Sequence, residues 1–202
     1  MIRIIFTLVL FTTFYLSGHA QNQDCKEKKN SNGIIVYVCK TQNEQFKSLK
    51  AEFTINNTSL VELVAFIKNV NHYPKWQYNM VSAEMLKRES DDIMITRAEI
   101  DAPWPVENRE LIVQYQMYQN EAQDSLHVIA KTHPYDYPKS DLVRIPFSHA
   151  EWFVKEAGNL LKVSYTLSVN PGGSLPAWLV NMALAEGPFH TFSNLKKELE
   201  NN

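Results

Sequence analysis

The residues able to do chemistry in this chain are few, and their spacing points away from catalysis. Beyond the first twenty positions the histidines are His72, His127, His133, His149 and His190, scattered along the chain. No HExxH pair sets two imidazoles one helical turn apart, so no zinc site is expected. GxSxG, P-loop and GxGxxG patterns are missing too, which removes the usual signals for an activated serine or a bound nucleotide. Arg109 stands near Glu107 and Glu110, and Arg144 near Asp141; these read as ion pairs that brace the fold. Arg97 and Glu99 share parity on one strand and form a solvated pair if Met94, Thr96, Ala98 and Ile100 face inward. The two cysteines, Cys25 and Cys39, lack a CxxC spacing. In an oxidising compartment they read as an intramolecular disulfide, worth about 3 kcal/mol in the chain-entropy view. No metal and no cofactor is expected.

That compartment is suggested by the start of the chain. Arg3 precedes an uncharged, mostly apolar run from Ile4 to Leu16, and Ser17-Gly18-His19-Ala20 ends it in small residues. This is the form of a signal peptide cleaved near Ala20, and the run is short of the roughly 20 apolar residues a membrane span needs. An uncleaved N-terminal anchor is the alternative. The expected product is exported, periplasmic or secreted, and monomeric. About 180 residues remain, enough for one domain with a substantial core. Arg3 is the one charge in the leader, so its loss moves the formal net charge from −2 to −3. Such a mild balance gives no reason to expect nucleic acid as a partner.

Residues 21–32 are polar and read as a flexible N-terminal segment ahead of a domain spanning 33–202. Ile34 to Lys40 and Gln45 to Ile55 read as strands. Ser59 and Glu62 then form a capping box, and Leu60, Leu63, Val64 and Ile67 make a one-faced helical stripe. Asn71-His72-Tyr73-Pro74 breaks that helix, and Lys75 to Met80 makes a further short turn or helix. From Val81 to Val169 the period drops to two. Arg109, Leu111, Val113, Tyr115 and Met117 fall on one face, with Glu110, Gln114 and Gln116 on the other. Leu161, Val163, Tyr165, Leu167 and Val169 repeat the pattern, and Leu126, Val128 and Ala130 mark a strand between, with His127 on its wet face. Antiparallel sheets with one buried face alternate in this way. The last element is a helix from about Ser174, its N-cap, to Leu199, striped by Trp178, Met182, Ala185, Phe189, Phe192 and Leu199. Pro188 inside it predicts a bend near Gly187.

Four segments in order resemble the pattern of START domains, the lipid-transfer modules related to the steroidogenic acute regulatory protein. They are Tyr73-Pro74-Lys75-Trp76, the run from Pro105 to Glu110, Leu142-Val143-Arg144, and the run from Pro171 through Gly172, Gly173 and Trp178 to Asn181. Together they cover roughly residues 31–200. The resemblance implies an α+β helix-grip fold: a curved antiparallel β-sheet wrapped around a long C-terminal α-helix, with an internal hydrophobic cavity between them. It places Arg109, Arg144, Gly172 and Gly173 in fold-defining motifs. It implies a lipid or sterol-like small molecule as partner, no cofactor, and no chemistry. Some sterol-binding members carry a buried arginine where this strand has Tyr115, so their charged pair is not transferred.

The candidate cavity-lining residues are Trp178, Met182, Phe189, Phe192, Tyr115, Met117 and Trp76. A solid core built from the same stripe is the competing reading. Met182 suits a cavity because a thioether adapts to varied shapes, and the Tyr115 hydroxyl offers one oriented hydrogen bond. Trp104, between Pro103 and Pro105, reads either as an exposed contact for a membrane surface or as a side chain tucked over the sheet edge. The aromatic run His133-Pro134-Tyr135-Asp136-Tyr137-Pro138 is a second candidate for the rim of the entrance. The expected function is non-catalytic binding, and transfer, of a hydrophobic ligand. A polyketide cyclase or aromatase on the same scaffold, and a solid-core protein-interaction module, are the alternatives.

Overall fold

A computed structural model describes residues 24–41, 47–104, 106–138, 140–175 and 177–201. The leader expected at 1–20 lies outside them. Cys25–Ser31 is a strand, β1, rather than part of a flexible lead-in. It forms a hairpin with β2 (Ile34–Cys39), and the Cys25–Cys39 disulfide closes the open end at a directly paired position. Its polar composition concealed it, because an edge strand with little buried surface carries no apolar alternation. The turn is Asn32-Gly33, both with positive φ, the sequence best suited to a two-residue hairpin.

β3 (Lys47–Asn56) follows, burying Leu49, Ala51, Phe53 and Ile55 at every second position. α1 (Leu60–Lys68) begins at the expected capping box: Glu62 N–H donates to the Ser59 hydroxyl at 3.3 Å, and Ser59 N–H to the Glu62 carboxylate at 2.8 Å. Its stripe, Leu60, Leu63, Val64 and Ile67, is buried as the spacing predicts. A 3-10 turn (Val70–His72) leads into the four-residue α2 (Tyr73–Trp76), which starts two residues earlier than expected because Pro74 is well placed in a first helical turn. Tyr73 and Trp76 are thereby turned inward, and the Tyr73 hydroxyl donates to the Ile67 carbonyl at the end of α1, at 2.6 Å.

The remaining strands are β4 (Met80–Arg88), β5 (Ile93–Ile100), β6 (Arg109–Asn120), β7 (Ser125–Thr132), β8 (Val143–Arg144), β9 (Phe147–Ala157) and β10 (Leu160–Asn170). The ten strands form one sheet ordered β1-β2-β3-β10-β9-β7-β6-β5-β4, antiparallel throughout, with the short β8 joining β6 in parallel. α3 (Ala177–Glu200) starts three residues after the expected cap and runs through Pro188 to Glu200. It contacts β1, β2 and β3 on one side and α2 on the other, so the sheet wraps around it. Its second half fills a solid core. Phe192 stacks on Phe53 at 4.5 Å and meets Trp152 and Tyr165 edge-on, while Leu195 and Leu199 continue the buried stripe.

The outer face of the sheet departs from simple alternation. Glu110, expected on the wet side, is 1 % exposed. Its carboxylate accepts from Arg97 at 2.5 Å and from Arg144 at 2.8 Å, and Arg97 continues to Glu84 at 3.3 Å. Burial alone would push this carboxyl up, but the two guanidinium hydrogen bonds outweigh it and hold it below the usual carboxylate range. Arg97 is therefore not half of a solvated pair with Glu99, and Arg144 pairs with Glu110 rather than with Asp141. The reason is tertiary: the 133–138 segment folds over this face. The Tyr137 hydroxyl donates to Glu84 at 2.9 Å, its ring lies 5.0 Å from the Arg97 guanidinium, and its carbonyl accepts from Arg144. That segment rims no entrance.

Candidate functional site

Strand register places side chains from β6, β7, β9 and β10 in rows beneath the first half of α3. One row is Tyr115, Ala130, Ala150 and Leu167, each paired with the next. The two alanines leave the middle of the sheet without side-chain bulk. One row deeper, Val128, Trp152 and Tyr165 pair in the same way and close the space. Beyond them Leu126, Val154 and Val163 are packed solid with the second half of α3. The result is a cavity of about 550 Å³ between sheet and helix, within the roughly 300–1,000 Å³ usual for small-molecule sites. It exists because small residues sit where the helix passes and large ones sit past its midpoint.

Leu179, Leu184 and Phe192 of α3 form the roof, and Trp76 closes one side. The exposed lining residues Tyr78, Asn79, Asp101, Pro103 and Ala183 mark the opening. There the turn before β4 is fastened to α3. Tyr78 stacks on His190 at 4.8 Å, and its N–H donates to the Thr191 hydroxyl at 3.0 Å. The 101–106 loop contributes Asp101, Ala102, Pro103 and Val106 to the wall, while Trp104 between them turns outward and is 90 % exposed. It is not tucked over the sheet edge.

Three of the four sequence motifs meet at the end of the cavity nearer the start of α3. Gly172 and Gly173 adopt φ of +69° and +64°, a region open to glycine at little cost. A Cβ on Gly172 would meet Pro146 Cδ at 3.1 Å, so this turn rests directly on the chain after β8. Arg109 is buried on the cavity wall, beside Gly173, and donates to the Glu107 carbonyl. Desolvation pulls its guanidinium below the usual arginine range, with Glu107 opposing. Ser148 lines the same end.

At the opposite, closed end the polar groups are neutral. Tyr73, Tyr115, Tyr165 and Gln77 line it. Burial pushes the hydroxyls of Tyr115 and Tyr165 up, and drives that of Tyr73 well above the ordinary tyrosine value. All three stay protonated at neutral pH and act as uncharged hydrogen-bonding groups. Among the described residues no group of three His, Cys, Asp or Glu side chains is arranged to hold a metal ion.

Of the candidate lining residues, Tyr115, Trp76 and Phe192 stand on the wall. Met117 does not; one row deeper on β6, it belongs to the solid core. Phe189 does not either. Three positions before Phe192 on α3, it is buried on the side facing β1, with the Lys29 ammonium 4.5 Å above its ring. Trp178 and Met182 lie on the first turns of α3, and their side chains are outside the described residues. Sequence reasoning missed Ala150 and Trp152, although Ser148, Ala150, Trp152 and Val154 alternate on β9. Leu179 and Leu184 were obscured because the α3 stripe was drawn through their neighbours.

The sequence profile of the START domain matches residues 25–202. An uncharacterized protein of Pseudomonas aeruginosa is 25 % identical over 195 residues, covering 96 % of both chains. Mouse phosphatidylcholine transfer protein is 21 % identical over 176 residues, 85 % of this chain and 81 % of its own. Among solved structures, the STAR-related lipid transfer protein of Xanthomonas axonopodis superposes with a TM-score of 0.79 at 26 % identity, over 87 % of this chain and 98 % of its own. The sheet that grips a C-terminal helix, the converging motifs and the match over residues 25–202 agree: the chain belongs to the START domain family.

Proposed function

We propose that this protein is a non-catalytic carrier that binds a lipid or other hydrophobic molecule between sheet and helix and transfers it between membranes. The observation that carries the reading is the cavity of about 550 Å³ lined mainly by apolar side chains, with α3 as its roof. The driving force is removal of apolar surface from water, about 25 cal/mol per Å² before ordering costs. Tyr115, Trp76 and Phe192 are proposed ligand contacts, joined by Ala130, Ala150, Leu167 and Leu184. Loading requires the Tyr78–His190 and Tyr78–Thr191 contacts to open, with Gly187-Pro188 of α3 beside them as the hinge. Trp104, exposed next to wall residues of the opening, is the proposed membrane contact, since an indole favours the interface between lipid and water. The Cys25–Cys39 disulfide fits an exported protein working outside the reducing cytosol.

The test is to purify the mature protein from its native compartment and analyse an organic extract and the intact complex by mass spectrometry. One stoichiometric lipid, lost on unfolding, is expected. Ligand-free protein that also takes up no fluorescent lipid would overturn the carrier reading.

A further inference from the structure

Apolar burial does not account for the place of β1. Cys25 and Lys29 are half-buried and its other residues are exposed. It is an edge strand, paired with β2 and packed against α3. The Asn32-Gly33 turn fixes one end of its hairpin and the Cys25–Cys39 disulfide fixes the other, beside exposed Asp24–Lys40 contacts. Lys29 carries this strand to the helix. Its ammonium donates to the Glu186 carboxylate at 2.7 Å and lies 4.5 Å above the Phe189 ring. Those two residues bracket Gly187-Pro188, where α3 is weakest: Pro188 has no N–H for the Leu184 carbonyl, and glycine is a poor helix former.

Glu186 also stands 3.5 Å from the His190 ring, and His190 stacks on Tyr78, just ahead of β4. β1 and β4 are the two edges of the sheet. The contacts Lys29–Glu186–His190–Tyr78 therefore cross α3 from one edge to the other, and the last three of these residues line the cavity. The disulfide anchors one side of this clasp. Without it β1 can fray from Cys25 inward, through the bulge between Glu27 and Lys29, and Lys29 leaves α3 with it.

We propose that β1 is a disulfide-anchored strap that holds the roof of the cavity shut through Lys29, and that reduction of Cys25–Cys39 by an external dithiol speeds ligand release. A thiolate of the dithiol attacks the Cys25 sulfur, and the Cys39 sulfur leaves with the bonding pair and takes up a proton. The second thiol of the reductant then displaces Cys25, which is protonated in turn, and closes the reductant's own disulfide. The protein gains two electrons and two protons, and the dithiol loses them. The inference rests on the carrier reading. Mature protein is loaded with N-phenyl-1-naphthylamine, and its fluorescence decay is followed on mixing with excess phosphatidylcholine vesicles, with and without dithiothreitol. Lys29→Met keeps the disulfide and an apolar stem on Phe189 but removes the charge. It is expected to speed release about fivefold, the worth of a partly exposed ion pair and a cation–π contact together. Dithiothreitol speeds release of the wild type to a similar extent and adds little to Lys29→Met, because both act through one strap. Ser59→Ala, which removes the capping box of α1, lowers the melting temperature and leaves release unchanged. Release from Lys29→Met at the wild-type rate overturns this inference alone. So does an unchanged rate in dithiothreitol, a fully additive effect of the two, or equal acceleration by Ser59→Ala. Failure of every form to take up the probe overturns the carrier reading with it.

Discussion

Ala150→Phe tests whether the void under α3 is the working part of the molecule. Ala150 is buried in the row Tyr115, Ala130, Ala150, Leu167, at the centre of the cavity wall. The substitution adds six ring carbons, about 180 Å³ at roughly 30 Å³ each, a third of the about 550 Å³ available. A ligand that fills the cavity then gives up about six methylene equivalents of burial, about 5 kcal/mol at 0.8 kcal/mol each. Sliding toward the opening recovers part of this, so the expected loss in lipid affinity is at least about 100-fold. The fold should not suffer, because the ring enters space rather than packed atoms. Filling a cavity commonly raises stability by about 0.5–2 kcal/mol. Fluorescent-lipid titration and thermal melts of the same preparation read both quantities. Unchanged lipid binding by a folded variant would refute the cavity as the ligand site. A destabilisation of about 1–3 kcal/mol, the usual cost of overpacking a filled core, would show that the space is not there.

Trp104→Ser should slow transfer between vesicles about tenfold while equilibrium affinity stays within about twofold, since an exposed interfacial indole acts on docking and not on cargo; equal transfer rates would exclude a membrane role for this loop. Glu110→Gln should cost about 2 kcal/mol in a urea melt, below the usual figure for a broken buried pair because Arg144 and Glu84 are partly solvated. Because the Glu110 carboxyl is held below its ordinary range, its contribution is complete above that range and is lost as pH falls through the folded value. The variant should therefore show a shallower acid limb in stability against pH. Reducing the Cys25–Cys39 bond, which spans a sequence separation of 14, should lower stability by at most about 3 kcal/mol. Hydrogen exchange should show the loss of protection concentrated in β1, an edge strand.

What could be read in advance divides along the range of the physics. The Ser59–Glu62 capping box and the α1 stripe were legible because their partners lie within four residues. The alternation of Leu161 to Val169 was legible because a pleated strand enforces a period of two. β1 was missed because pairing and a disulfide hold it, not apolar burial. Met117 and Phe189 were misplaced for a different reason: periodicity names the face a residue occupies but not its depth along the element. Met117 shares a face with Tyr115 and Phe189 is a turn from Phe192, yet each pair is split between wall and solid core.

The sequence by itself determined the family, the antiparallel sheet, the long final helix and the apolar character of its inner surface, since propensity, patterning and turn chemistry act locally. Only the tertiary structure decided that Ala130 and Ala150 stand side by side across two strands and open a void. It also decided that Trp152 and Tyr165 close that void, and that Glu110 is buried between Arg97 and Arg144. Those facts depend on strand register and on which loop covers which face. They are set by contacts between residues tens of positions apart, to which no local pattern in the chain is sensitive.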